Sequence, residues 1–249
     1  MTSSAGPITD ERRIVLEAQS VTRQFGGLTA VNRVDLQLRE GESLGLIGAN
    51  GAGKTTLFNM LSGFDRPSEG DIQLHGRSML GSSRHEIVRS GLARTFQIVR
   101  PFAALTVTDN VRVPLTVRGL RNSDLEIPRI LNAVGLAHLA NVPASLLSEG
   151  DLKRLELARA LGTNPNVLLL DEPFAGLSPN EIQRLCETIS ALHASGMSLL
   201  IVEHKIGTLA KLCQRIVALH RGTVIADGSP QEVISSPQVV EAYLGGALE

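Results

Sequence analysis

The 249-residue sequence predicts an α/β fold in which helices cover both faces of a mostly parallel sheet. Short apolar runs of strand length alternate along the chain with segments of helical pattern, as in folds built on a parallel sheet. A glycine-rich loop at 48–55 joins one of these runs to a helix. Two strand-like runs before this loop predict an N-terminal antiparallel β region. A helical stretch at about 101–147, with prolines at 114, 128 and 143, predicts a lobe inserted into the core.

Each element follows from a local pattern. Apolar residues recur at alternating positions from Val31 to Leu38, as in a half-buried strand, whereas the uniformly apolar runs at 167–170 and 198–202 predict buried strands. Pro179 suits the first turn of a helix. The predicted strands are 14–20, 31–38, 44–47, 71–74, 167–170, 198–202, 215–219 and 223–227, and the predicted helices are 55–61, 85–90, 108–117, 127–134, 147–161, 179–195 and 205–213. Residues 1–12 are predicted to be a disordered lead-in to one domain at 13–249.

Composition narrows the class of function. The net charge of −1, with Lys and Arg scattered, gives no basic surface for nucleic acid. No apolar run approaches the roughly 18 residues needed to cross a bilayer, so we expect any membrane role to depend on partners. Cys186 and Cys213 lack the spacing of a metal site and are predicted to be buried free thiols in helices, which suits a reducing cytosol.

The glycine-rich loop carries the strongest motif. It follows an apolar run, precedes a helix and fits the pattern Gly, four residues, Gly-Lys-Thr. Glycines let backbone amides surround phosphate oxygens at a helix N-terminus, Lys54 would reach the β- and γ-phosphates, and the Thr55 hydroxyl would bind Mg²⁺. The alternative is a flexible turn. The sequence predicts a phosphate-loop NTPase core, with these nucleotide-binding residues: Gly48, Ala49, Asn50, Gly51, Ala52, Gly53, Lys54, Thr55 and Thr56.

Two carboxylates follow the buried run at 167–170. At the carboxyl end of a strand in a phosphate-loop protein, Asp171 would hold Mg²⁺ and Glu172 would act as general base toward the attacking water. The alternative is a pair of exposed acids at a strand-to-loop junction. His204 also ends a buried run, where it could contact a γ-phosphate or serve only as a hydrogen-bonded junction residue.

Three further candidate site residues could instead have purely structural roles. Phe25, beside two glycines, could stack on adenine or fill a hairpin, and Gln97 could touch Mg²⁺ and water or be a solvated polar residue. Ser148 could cap the helix through 161, with Asp151 completing a near capping box. Because Gly150 is small, that same helix N-terminus could also bind the γ-phosphate of a nucleotide held by a second copy.

These motifs, in their order, resemble the ATP-binding subunit of an ABC transporter over essentially 14–244. The resemblance implies that ATP and Mg²⁺ bind, with adenine near Phe25 and Val31 and the metal near Thr55, Gln97 and Asp171. It gives the catalytic roles to Glu172, His204 and Gln97, and it assigns Ser148, Glu149 and Gly150 to the signature that completes a partner's site. The segment 175–178 would cross the dimer interface.

Finer motifs resemble the branched-chain amino acid uptake subfamily. They include the runs 25–32, 91–97 and 242–245. The signature departs from the usual Leu-Ser-Gly-Gly-Gln at Glu149 and Asp151, and Lys205 replaces the common Asp after the histidine. A carboxylate at Glu149 near a γ-phosphate would weaken ATP-driven dimerisation. The alternative is that it points away or pairs with a Lys or Arg. The lobe around 119–128 is expected to be shorter than in many relatives.

The resemblance implies a motor subunit that works with a second ATP-binding subunit, itself or a paralogue, and with membrane permeases. An extracytoplasmic solute-binding protein would act indirectly, and the subunit would lie on the inner face of the cell membrane. Alternatives are a cassette for another cargo such as lipid or lipopolysaccharide export, a soluble non-transport ABC ATPase, and a small-molecule kinase. We expect no nucleic-acid partner.

Overall fold

The computed structural model describes residues 12–117 and 125–244. The strands are β1 (Ile14–Phe25), β2 (Leu28–Arg39), β3 (Ser43–Gly48), β4 (Glu69–Leu74), β5 (Arg77–Ser78), β6 (Leu92–Arg94), β7 (Val167–Asp171), β8 (Ser198–Val202), β9 (Arg215–His220) and β10 (Thr223–Gly228). The helices are α1 (Lys54–Leu61), α2 (Arg84–Arg89), α3 (Val107–Val117), α4 (Glu126–Ala133), α5 (Glu149–Leu161), α6 (Pro179–Ala194), α7 (Ile206–Leu212), α8 (Pro230–Ser235) and α9 (Pro237–Leu244).

Two sheets form the β structure. The larger has the order β10-β9-β3-β8-β7-β6, with every neighbouring pair parallel except β10 and β9. The smaller sheet, β2-β1-β4-β5, is antiparallel throughout. The predicted fold class, a mostly parallel α/β core with an N-terminal antiparallel region, is therefore confirmed.

The strand β7 shows why the larger sheet is buried on both faces. Its first four residues are apolar and fully buried. Val167 and Leu169 point into the apolar cluster shared with α1 and the antiparallel sheet, whereas Leu168 and Leu170 point into the cluster formed with α3 to α9. A strand covered on both faces needs a continuous apolar run, which is the pattern read from the sequence.

The N-terminal hairpin is longer than predicted. β1 continues past Ser20 to Phe25, and β2 begins at Leu28 after a turn in which Gly26 has φ 57°. The polar residues after Ser20 concealed this extension, because a strand at the protein surface needs no apolar alternation. A register shift between Ala18 and Val21 also interrupts the strand, which made its continuation harder to predict.

Three other predictions about elements were incomplete. The edge strand β6 was not predicted, because three residues are too few to form a pattern. The helix α7 ends at Leu212, so Cys213 lies just beyond it in extended backbone and not in a helix. Cys213 is buried, and burial raises the pKa of its thiol to about 12. Cys186 is only half-buried, contrary to the expectation of a buried thiol.

The described part of the segment 101–147 is helical, as predicted, and contains α3, α4 and two 3₁₀ turns at Ala137–Leu139 and Ala144–Leu146. Asn110 of α3 is fully buried; its side chain accepts a hydrogen bond from Phe102 N and donates to backbone oxygens including that of Thr106. Residues 119–124 of the part of the lobe that is expected to be short, and the lead-in through residue 11, lie outside the described residues. Across the described ranges, no helix is both long and apolar enough to cross a membrane.

Candidate nucleotide and catalytic site

The loop between β3 and α1 has the backbone that the phosphate-loop motif requires. Gly51 and Gly53 have φ of 77° and 99°, which side chains with a Cβ rarely adopt. A Cβ on Gly53 would also collide with the carbonyl oxygen of Ala30 on the hairpin. The loop therefore needs glycine both for its turn and for its close packing on β2.

Lys54 begins α1 and is buried beneath this loop. Its Nζ atom donates to the carbonyl oxygens of Gly48 at 2.6 Å and Ala49 at 3.0 Å. Burial lowers the pKa of Lys54, and the nearby carboxylate of Glu172 opposes that shift. The ammonium group is thus bound to the loop and lies within electrostatic range of the Glu172 carboxylate. Thr55, the next residue, is exposed.

Asp171 ends β7 and is paired with an arginine. Its Oδ2 atom lies 2.9 Å from Nη2 of Arg94, and both side chains are largely buried. Burial raises the pKa of Asp171, while the Arg94 guanidinium acts in the opposite direction. Arg94 belongs to the run 91–97, and the sequence alone indicated no role for it.

Glu172 stands where three predicted site residues meet. The Gln97 side-chain amide donates to its Oε2 at 2.8 Å, and Nε2 of His204 lies 2.7 Å from its Oε1. Each carboxylate oxygen therefore has its own partner, from the loop after β6 or the loop after β8. The backbone of Glu172 is left-handed, with φ 44°, an arrangement that costs energy in a residue other than glycine.

Glu203 supports this arrangement and was not predicted. It is almost fully buried, and its carboxylate accepts backbone hydrogen bonds from Phe174, His204 and Lys205 at 2.9–3.2 Å. One side chain thus ties the loop after Glu172 to the loop that carries His204. Its position just before the histidine was the only signal in the sequence.

Two residues of α5 hold the backbone around Gln97. Lys153 Nζ donates to the Gln97 carbonyl at 2.8 Å, and a Glu156 oxygen accepts from the Phe96 amide at 2.5 Å. Burial raises the pKa of Glu156 to about 7. The helix α5, which Ser148 precedes, is therefore hydrogen-bonded directly to the Gln97 loop.

Ser148 caps α5, as predicted. Its hydroxyl accepts from Asp151 N at 3.1 Å and donates to Asp151 Oδ2 at 2.7 Å. Glu149 is exposed and its carboxylate lies against Gly176 of the following loop, while Gly150 is buried so close to Glu181 that a Cβ would lie 2.8 Å from its Oε1. The signature residues thus occupy the junction between the N-termini of α5 and α6.

Phe25 and Val31 lie on the antiparallel hairpin near the phosphate loop. Phe25 is 47% exposed, and the Arg23 guanidinium lies 4.7 Å from its ring centroid. Val31 is fully buried, with a methyl group 3.4 Å from the position of a Cβ on Gly53. Of these two side chains, only that of Phe25 is exposed to solvent.

Comparisons with known proteins agree with this geometry. A family model described as "ABC transporter" matches residues 31–175, and one described as "Branched-chain amino acid ATP-binding cassette transporter" matches residues 223–249. A high-affinity branched-chain amino acid transport ATP-binding protein, LivG of Salmonella typhimurium, is 41% identical over 94% of this chain and 98% of its own length. The lipopolysaccharide export ATP-binding protein LptB of Acidithiobacillus ferridurans is 36% identical over 94% and 98%.

Solved structures give the same result. The ADP conformation of an ATP-binding cassette from an ABC transporter superposes with a TM-score of 0.84 at 29% identity, covering 93% of this chain and 99% of that one. The family match extends over more than half of the chain and includes the phosphate loop, Gln97, Ser148 and both carboxylates. The chain belongs to the ABC transporter family, as one of its ATP-binding, ATP-hydrolysing subunits.

Proposed function

We propose that this chain is the ATPase motor of an importer for branched-chain amino acids or a similar small polar solute. The observation that carries the ATPase role is the position of Glu172, fixed between Gln97 and His204 at the end of a buried strand. The cargo is inferred from the C-terminal family match and from the greater identity to LivG than to the lipopolysaccharide export protein.

The phosphate loop would bind the triphosphate through its backbone amides, with Lys54 neutralising the terminal phosphates. Mg²⁺ fits the chemistry of the nearby side chains, since Thr55, Asp171 and Gln97 offer the oxygen ligands that this ion prefers. When bound, the ion would neutralise charge on the phosphates. Phe25, exposed on the hairpin, would stack on the adenine, with Val31 beneath it.

In the proposed reaction, Glu172 accepts a proton from the attacking water and His204 orients both groups. His204 and Gln97 keep the carboxylate in place through one hydrogen bond each. A second subunit, identical or paralogous, would supply its own Ser148, Glu149 and Gly150 to the γ-phosphate. Two sites would then close together when the subunits associate.

The remaining partners follow from the family. Its ATP-binding subunits work with membrane permeases, and we infer that the Gln97 loop and the helical segment between β6 and β7 pass the closing motion to them. The subunit would then lie at the inner face of the membrane without crossing it. A solute-binding protein outside the membrane would deliver the cargo to the permeases.

The first test compares ATP turnover and oligomeric state in wild-type protein and in Glu172→Gln, with ATP and Mg²⁺. We expect slow turnover by the wild type, and a variant that is inactive and collects as an ATP-bound dimer. Glu187→Gln, an exposed change on α6, should behave as wild type. Turnover by Glu172→Gln at the wild-type rate would remove Glu172 as the base.

The cargo requires a second experiment, with the complete transporter in proteoliposomes. Uptake of labelled leucine that needs ATP and stops with Glu172→Gln would support import of branched-chain amino acids. ATP-driven lipid extraction without leucine uptake would assign the motor to an exporter. ADP formation without phosphate release would indicate a kinase and overturn the proposal.

A further inference from the structure

Arg94 contacts three separate parts of the structure. One guanidinium nitrogen, Nη2, bonds to Asp171 on β7. The other, Nη1, donates at 2.8 Å to Asn59 Oδ1 and also at 2.8 Å to Ser62 Oγ, at the C-terminal end of the helix that begins with Lys54. Arg94 itself ends the edge strand β6, three residues before Gln97. A single buried cation therefore joins the phosphate-loop helix, the carboxylate strand and the Gln97 loop.

The guanidinium is also enclosed by aromatic rings. Its central carbon lies 4.7 Å from the centroids of Phe58 and Phe64 and 4.9 Å from that of Phe96. Phe64 and Phe96 additionally pack edge to face, with centroids 5.3 Å apart. A planar cation held by aromatic faces and by hydrogen bonds in its plane has little freedom to rotate. Lysine offers the charge without this fixed geometry.

Phe96 connects this enclosure with the surface. Its ring is 42% exposed and lines a groove of about 570 Å³ between α2, α3 and α5. The ring thus contacts the guanidinium that holds Asp171, packs on Phe64 and lines the groove, which Arg94 also lines. The side chains of Arg94 and Phe96, which contact each other, therefore connect Asp171 with the groove.

We propose that Arg94 is a positioning residue that fixes the Asp171 carboxylate for metal binding and reports the state of that carboxylate to Phe96 in the groove. The inference rests on the proposed role of Asp171 as the metal-binding carboxylate. Arg94 occupies only Oδ2 of Asp171 and orients the carboxylate so that Oδ1 serves the ion. A change at Asp171 shifts the guanidinium, and the stacked Phe96 ring shifts with it.

The experiment uses a property of this sequence, which contains no tryptophan. Phe96→Trp places the protein's only tryptophan against Arg94, and excitation at the red edge of the indole band separates it from the one tyrosine, Tyr243. In this parent protein, loaded with a non-hydrolysable ATP analogue in chelator, we expect added Mg²⁺ to change the indole emission. Adding Arg94→Lys should abolish the change and raise the Mg²⁺ concentration for half-maximal nucleotide retention about tenfold. Metal-free binding of the analogue should stay within twofold.

Arg84→Ala is the matched control. Arg84 also stacks on Phe64, at 4.2 Å, and no contact described for it reaches Asp171. It should leave the Mg²⁺ titration and the emission change unaltered. Asn59→Ala removes one hydrogen-bond partner of Arg94 and leaves the pair with Asp171 in place. It should shift the Mg²⁺ titration in the same direction as Arg94→Lys, but by less. If Arg94→Lys does not fold, Asn59→Ala is used in its place.

Two outcomes overturn the inference: an Arg94→Lys protein that titrates like its parent, or an Arg84→Ala protein that loses the signal equally. Failure of the underlying metal assignment is recognised separately with Asp171→Asn in the parent. If that change leaves the Mg²⁺ titration unaltered, Asp171 does not hold the ion and the proposed metal site is wrong. If it alters the titration and Arg94→Lys does not, only the role of Arg94 fails.

Discussion

The carboxylate of Glu149 packs against Gly176 in the same chain, so closely that Gly176 could not carry a Cβ without moving it. The first residue of α5 is thereby joined to the loop that follows Asp171 and Glu172. Glu149 is exposed at this position. In the proposed dimer, its negative charge would approach the γ-phosphate bound to the partner subunit.

Neutralising Glu149 should strengthen the ATP-bound dimer. In a Glu172→Gln background, we expect Glu149→Gln and Glu149→Gly to lower the ATP concentration needed for dimerisation roughly three- to tenfold, since exposed like charges repel by about 1 kcal/mol. Size-exclusion chromatography over an ATP series measures this. The glutamine variant keeps the packing on Gly176, so it separates charge from shape. Dimerisation at the wild-type ATP concentration in both variants would show that the repulsion is absent.

Glu156 should make the stability of the protein depend on pH. Its native pKa of about 7 lies above the ordinary value of 4.5, because burial disfavours the charged form. The native state therefore binds this proton more tightly than the unfolded state, and the stabilisation present below pH 4.5 is lost as pH rises through about 7.

Glu156→Gln should remove that loss. At pH 8 the variant should be more stable than wild type by roughly 1–3 kcal/mol, and at pH 4.5 the two should be similar. Urea unfolding at both pH values gives the comparison, with the exposed Glu187→Gln as control. A stability difference that is the same at both pH values would contradict the assignment.

The left-handed backbone of Glu172 should be detectable as strain. At φ 44°, glycine has no steric penalty and alanine does, so Glu172→Gly should be about 1 kcal/mol more stable than Glu172→Ala. Both variants lose the same hydrogen bonds, which cancel in the difference. At Glu187 within α6, the order should reverse, because glycine is about 1 kcal/mol worse than alanine inside a helix. Equal stabilities at position 172 would mean that the backbone relaxes.

Asn110 should be a large contributor to stability between β6 and β7. Its buried side chain satisfies backbone groups of Phe102, Leu105 and Thr106. Asn110→Ala leaves the Phe102 amide without its acceptor, while the three carbonyl oxygens keep their backbone donors, and should cost about 1–2 kcal/mol. Asn132→Ala on the exposed side of α4 should cost under about 0.5 kcal/mol. Denaturant unfolding distinguishes them. Similar costs for both would remove the special role of Asn110.

Much of the fold could be predicted because local patterns specify it. The uniformly apolar β7 indicated a strand buried on both faces, and the glycines around Lys54 indicated a phosphate loop with a helix after it. The strand β6 could not be predicted, because its three residues pair with β7 from far along the chain.

The site was predicted less completely than the fold. Gln97, Glu172 and His204 were expected to act together, and the structure brings them within hydrogen-bonding distance. Arg94 and Asp171 are 77 positions apart, and Glu203 and Phe174 are 29 apart. Polar pairs at such separations leave no periodic trace in a single sequence, so the residues that hold the site in place were found only in three dimensions.

Because β7 is buried on both faces, it limits which parts of this motor can move. Glu172 directly follows a strand whose side chains anchor both apolar clusters, so displacing its backbone would disturb the whole interior. Its two partners arrive instead from loops, Gln97 after the edge strand and His204 after β8. In the proposed mechanism, Glu172 would therefore stay in place as the base, and movement of the loops that carry Gln97 and His204 would set when hydrolysis occurs.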